Sequence, residues 1–79
     1  MVYNGTMNYT LVQKAGLNED VDGYVVQGGG TIKREYGTLT PNGNPMSGRW
    51  AYRDGTGKLI DFDQYRHDLF EHNNLREAP

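Results

Sequence analysis

The sequence predicts a small α+β domain: an antiparallel β-sheet of four to five short strands with one C-terminal α-helix packed on one face. Three observations predict it. Eleven glycines among 79 residues fall between short runs of β-branched and aromatic side chains, as turns punctuate a sheet. From Asp61 onward the apolar period changes from two to that of a helix. Six Tyr, two Phe and one Trp supply large areas for burial, while the charged share is an ordinary 23%. A chain this short has material for one compact domain spanning 1–79, with fraying expected at 1–6 and 76–79.

The first run, Met7 to Gln13, places Met7, Tyr9 and Leu11 on one face and Asn8, Thr10 and Val12 on the other, and its strand could begin as early as Val2. Residues 18–23 read as a polar turn into a short strand, Tyr24 to Gln27, which Gly28-Gly29-Gly30 ends. Thr31 to Thr40 alternates again, with Ile32, Arg34, Tyr36 and Thr38 on one face and Lys33, Glu35 and Leu39 on the other. Charges on both faces predict an edge or partly wet strand. Thr40-Pro41-Asn42-Gly43-Asn44-Pro45 is a loop, because two prolines bracket an Asn-Gly pair.

Arg49 to Arg53 is the fourth strand, with Trp50 and Tyr52 opposite Arg49, Ala51 and Arg53. Asp54-Gly55-Thr56-Gly57 forms a tight hairpin into a fifth strand, Lys58 to Ile60. Asp61 and Gln64 have the spacing of a capping box, and Ile60 and Tyr65 that of a hydrophobic staple, so a helix is expected to begin at Asp61. Its inner face would carry Phe62, Tyr65, Leu69 and Asn73, with Phe70 at the margin, and Asn73-Asn74 would stop it. Trp50, Tyr52, Ile60, Phe62, Leu69 and Phe70 are the expected core.

Cysteine is absent, which excludes a disulfide framework, a thiolate zinc site and a cysteine nucleophile. No apolar run approaches the ~18 residues of a membrane span, and the start has neither a basic nor an apolar signal segment, so the cytoplasm is the expected compartment. Gly28-Gly29-Gly30 lacks the following helix and Lys-Ser/Thr pair of a phosphate loop. Asn18, Asp20, Asp22 and Gly23 match the opening of a calcium loop, but Gly29 holds the place of its bidentate Glu, and a solvated turn explains them. His67 and His72 are five apart, about 140° around a helix, and cannot share a metal. With one Ser and no base beside it, no catalytic residue, metal or cofactor is expected, and an enzyme is not.

Surface recognition is what remains. Lys33, Arg34, Arg49, Arg53 and Lys58 against Glu35 and Asp54 give residues 31–58 a net +3. Arg66 and Arg76 against Asp61, Asp63, Asp68, Glu71 and Glu77 give residues 59–79 a net −3. The protein is therefore expected to be electrically two-sided.

The leading expectation is a non-enzymatic protein-interaction module. Its contact would be either the acidic helix face, Asp63, His67, Asp68 and Glu71, or an exposed sheet face with its edge, Arg34, Tyr36, Arg49 and Arg53. Arg66 falls inside the apolar arc of the helix, where its stem covers the sheet, its head group meets a buried acceptor, or it anchors an acidic partner. The alternative is a nucleic-acid- or nucleotide-binding module, since arginines interleaved with Tyr36, Trp50 and Tyr52 suit bases and phosphates. A homodimer through an edge strand would complete the burial of so small a sheet. The short, cysteine-free, Gly- and Tyr-rich style resembles accessory proteins of phages and other mobile elements, and the resemblance implies an inhibitor that binds and blocks a larger host complex.

Overall fold

The structure, a computed structural model, describes residues 8–18 and 21–79. Six strands and one helix follow in the order β1 (Thr10–Asn18), β2 (Val21–Val26), β3 (Thr31–Leu39), β4 (Pro45–Arg53), β5 (Leu59–Asp63), α1 (Arg66–His72) and β6 (Leu75–Glu77). They form one curled, half-barrel sheet ordered β5-β4-β3-β2-β1-β6. The first strand thus starts three residues later than the alternation from Met7 suggests and runs longer. Met7, the proposed beginning at Val2 and the fraying of residues 1–6 lie outside the described residues, as does Asp20 of the calcium-like spacing. Gly23, the turn glycine in that spacing, instead lies within β2, opposite Ala15 and Lys33.

Hairpins make β1 to β5 antiparallel neighbours, but β6 departs from the expected all-antiparallel sheet of four to five strands. It comes back after α1 and pairs parallel with β1, Thr10 to Leu75 and Val12 to Glu77, because a parallel return needs a crossover element and α1 supplies it. Thr10 N–H donates to the Asn74 carbonyl at 3.0 Å and Ala78 N–H to the Val12 carbonyl at 2.8 Å. Arg76 and Glu77, at the expected frayed end, are strand residues of β6. Asn74 takes φ 53°, the left-handed stop expected of Asn73-Asn74, and Leu75 then turns inward to be buried.

The helix begins five residues after the expected start. Asp61, Phe62 and Asp63 belong to β5, opposite Tyr52, Ala51 and Trp50. The Asp61 carboxylate accepts from Phe62 N–H and from Asn73 Nδ2, both at 2.8 Å, so it fastens β5 to the far end of the helix and caps no N-terminus. Tyr65 is the N-cap without a side-chain bond, while Asp63 Oδ1 accepts from Tyr65 N–H at 3.1 Å. The change removes Ile60 and Phe62 from the expected core: Ile60 is 47% exposed, and Phe62 lies under the Arg49 guanidinium on the face away from the helix.

The core gathers on the helix side of the sheet. Val12, Tyr24, Val26, Ile32, Leu69 and Leu75 are buried, with Trp50, Tyr52 and Phe70 packed against them. Tyr24 meets Phe70 edge-on at 5.2 Å and Trp50 at 6.3 Å, and ring pairs of this kind add to simple burial. β3, expected at an edge or partly wet, lies between β2 and β4 and is wet on the face that carries Arg34 and Tyr36. Its charges are tolerated inside the sheet because Glu35 pairs with Arg53 and Arg34 stacks on Trp50.

Candidate functional site

The sheet is not equally wide along its length. β2 pairs with β3 only over Thr31 to Lys33, and β5 pairs with β4 only over Trp50 to Arg53. Beyond Arg34 on one strand and Arg49 on the other, β3 and β4 pair with no strand but each other among the described residues. They continue as a two-stranded arm closed by the Thr40–Asn44 turn, where Thr40 N–H donates to the Asn44 carbonyl at 2.9 Å.

Two one-residue irregularities set what this arm displays. The ladder shifts between Glu35 and Tyr36, leaving Gly48 extra on β4, and again between Tyr36 and Leu39, where β3 carries an additional residue beginning with Gly37. Both glycines take positive φ, 86° and 81°, as bulges of this kind require. Tyr36 pairs with Ser47 and Leu39 with Pro45. Ser47 and Pro45 are two apart and share a face, so Tyr36 and Leu39 share it too, although three residues separate them. A plain alternation, as the sequence suggests, would put them on opposite sides.

That face is exposed and apolar. Tyr36 is 72% and Leu39 63% exposed, the two most exposed large hydrophobics among the described residues. Met46, between their partners and pointing the other way, is 2% exposed, so the opposite side of the arm is covered. Arg34 continues the Tyr36 face toward the core: its Nη1 donates to the Gly48 carbonyl at 2.7 Å, and its guanidinium lies 5.1 Å from the Trp50 ring centre. A guanidinium over an aromatic ring gains a cation–π contact.

The remaining residues singled out from sequence are dispersed. Arg49 and Arg53 lie on the face opposite Arg34 and Tyr36, because Arg49 pairs with Glu35 while Arg34 pairs with Trp50, so the four do not form one sheet surface. Arg53 grips both Glu35 oxygens, at 2.8 and 2.9 Å, and the Gly57 carbonyl at 3.0 Å. On the helix side, Asp63 faces His72 Nδ1 at 3.8 Å and His67 faces Glu71 at 4.0 Å, both near the surface, with Asp68 half-buried on the same helix. Arg66 does reach a buried acceptor: it donates to the Tyr24 hydroxyl and stands over the Tyr24 and Phe70 rings. Leu39 was missed as a site residue, and the signal was the glycine two before it in a strand.

The Glu35–Arg53 pair makes stability depend on pH. The Arg53 hydrogen bonds, assisted by the Thr38 hydroxyl, outweigh the burial of Glu35 and hold its carboxyl below the ordinary value of 4.5. Because the folded carboxyl is the stronger acid, its contribution is complete above about that pH and fades as the pH falls through the lower folded value. Glu35→Gln is expected to lose about 1–2 kcal/mol at pH 7, since Arg53 is partly open to water, and to converge on the parent at acid pH. Urea midpoints of the two proteins from pH 7 to about 3 check this; parallel profiles would contradict it.

Compared with protein-family models, with curated proteins and with solved structures, the chain matches none of them. Among the described residues no helix is long and apolar enough to cross a membrane, and no three His, Cys, Asp or Glu side chains converge as metal ligands would.

Proposed function

We propose that the protein is a non-enzymatic protein-interaction module whose contact surface is the Arg34–Tyr36–Leu39 face of the β3–β4 arm. One observation carries this: two large apolar side chains, exposed and brought to the same face by a glycine bulge, on a two-stranded ribbon that has no further strand paired to it among the described residues. Burying Tyr36 and Leu39 would contribute about 1.5–3 kcal/mol each, the scale of an interface hot spot. A Tyr beside an Arg is also the residue pairing such centres favour. The finer reading, an inhibitor of a larger host complex of the phage accessory type, draws its support from composition alone.

The nucleic-acid alternative has less behind it. Its cations point to both faces, and Arg53 is occupied by Glu35.

The experiment is affinity capture from a lysate with the tagged protein and with a Tyr36→Ala/Leu39→Ala variant. Because both side chains lie outside the core, the variant is expected to melt within a few degrees of the parent yet retain less than about a tenth of the captured protein. Equal retention by the variant would overturn the reading, as would capture that depends on oligonucleotides and disappears on nuclease treatment.

A further inference from the structure

We infer that the partner of the arm face presents a carboxylate, seated on the Arg34 guanidinium, beside an apolar side chain that covers Tyr36 and Leu39. The inference rests on the reading of the arm face as a contact surface and adds the chemistry which that surface selects.

Arg34 and Tyr36 are covered together, because both close on Gly48. The Arg34 Nη1 donates to the Gly48 carbonyl at 2.7 Å. A Cβ added at Gly48 would stand 3.0 Å from Tyr36 Cε2 and 3.4 Å from its Cζ and hydroxyl oxygen, so the tyrosine ring lies against the same glycine. Gly48 is buried, while Arg34 and Tyr36 are exposed. A partner that excludes water from the Tyr36 ring therefore also takes water from the guanidinium.

That loss needs a compensation the chain does not supply. Trp50 gives the guanidinium an aromatic face at 5.1 Å and Gly48 gives it a carbonyl, but among the described residues no carboxylate forms an ion pair with Arg34. Glu35 is turned to the opposite face, on Arg53. Asp63, which shares the Arg34 face, lies beyond Trp50 and faces His72. A cation buried without a counter-charge is costly, whereas a carboxylate accepts from a guanidinium in a strong, charge-assisted pair. The partner must therefore bring the acid. A phosphate backbone fits less well, since nucleic-acid affinity comes from several cations acting together, and Lys33, Arg49 and Arg53 all point to the other face.

Panning a random peptide library on the purified full chain tests the inference, with peptides kept only if they fail to bind the Tyr36→Ala/Leu39→Ala variant. The kept peptides are expected to share an Asp or Glu close to a large apolar residue. Replacing that acid by its amide in a synthetic peptide should weaken binding to the parent at least about tenfold and to Arg34→Met less than about twofold, as measured by isothermal titration calorimetry. The amide exchange is made in the peptide, so the result with the parent does not depend on how a protein variant folds. Kept peptides without an acid, or an amide exchange that leaves binding to the parent unchanged or weakens binding to Arg34→Met as much, would overturn the inference while leaving Tyr36 and Leu39 as the contact. A panning that keeps no peptide would overturn it too, and the lysate capture then decides the arm reading alone. A thymidine oligonucleotide that binds the parent but not Arg34→Met would assign the cation to phosphate and overturn it as well.

Discussion

Leu69→Ala is expected to destabilise the protein by about 3 kcal/mol and to lower its melting temperature by roughly 12–24 °C, at the 4–8 °C per kcal/mol typical of a domain this small. Leu69 is the only buried residue of α1 and is fully enclosed, among Val12, Tyr24, Val26, Ile32 and Leu75. A seven-residue helix cannot sustain itself in water, so its position depends on that one anchor. β6 follows directly after it and has β1 as its strand partner, so loosening α1 also frees the parallel edge. Thermal unfolding monitored by circular dichroism measures the effect, with His67→Ala on the exposed side of the same helix as a control expected within about 0.5 kcal/mol. A drop of less than about 5 °C for Leu69→Ala would mean that the helix does not close the core.

Gly30→Ala is expected to be comparably severe, although it adds one methyl group. The β2–β3 turn packs against the β4–β5 turn, and a Cβ at Gly30 would fall 2.4 Å from the Arg53 carbonyl oxygen. The backbone there also has φ +111°, where an L side chain is strained. Strain of about 1–3 kcal/mol and a steric conflict of similar size act together, so a loss of about 3 kcal/mol or more is expected. Gly43→Ala supplies the comparison: φ is +86° but nothing lies within 4 Å, so only the conformational part remains, about 1–2 kcal/mol. Urea unfolding should separate the two variants clearly, and equal midpoints would contradict the packing of the two turns.

The sheet was legible from the sequence wherever local chemistry determines it. Gly28-Gly29-Gly30 ends β2 as a turn. Asp54-Gly55-Thr56-Gly57 closes β4 onto β5, with Asp54 Oδ1 accepting from Thr56 and Lys58 N–H at 2.9 and 3.0 Å. Trp50, Tyr52, Leu69 and Phe70 joined the core as their spacing suggested. What the sequence concealed depended on distant partners. The capping-box spacing of Asp61 and Gln64 is satisfied equally well by a strand, because Asp61 finds Asn73 across the fold. Leu75-Arg76-Glu77 is too short to announce itself as a strand and becomes one only because β1 offers an edge.

The same limit applies to the site. Tyr36 was visible as an exposed aromatic, and Arg34 as its neighbour on one face. Leu39 was assigned to the other face because period-two alternation has no means of registering an extra residue. The bulge at Gly37 corrects the phase, and the face shared by Tyr36 and Leu39 exists only after that correction. Arg49 and Arg53 were grouped with Arg34 by nearness in sequence, but cross-strand pairing sends them to the opposite side, where Arg53 is consumed by Glu35.

The most direct measurement is therefore one that moves Leu39 without removing it. Gly37→Val disfavours the positive φ of the bulge and drives β3 toward regular alternation, turning Leu39 away from Tyr36, whereas deleting Gly37 removes the extra residue and leaves Leu39 opposite Pro45 on the same face. In the lysate capture assay, the account predicts that the Val variant loses the captured protein while the deletion variant keeps it. Full retention by the Val variant, with its fold intact, would contradict the claim that the partner reads Tyr36 and Leu39 together.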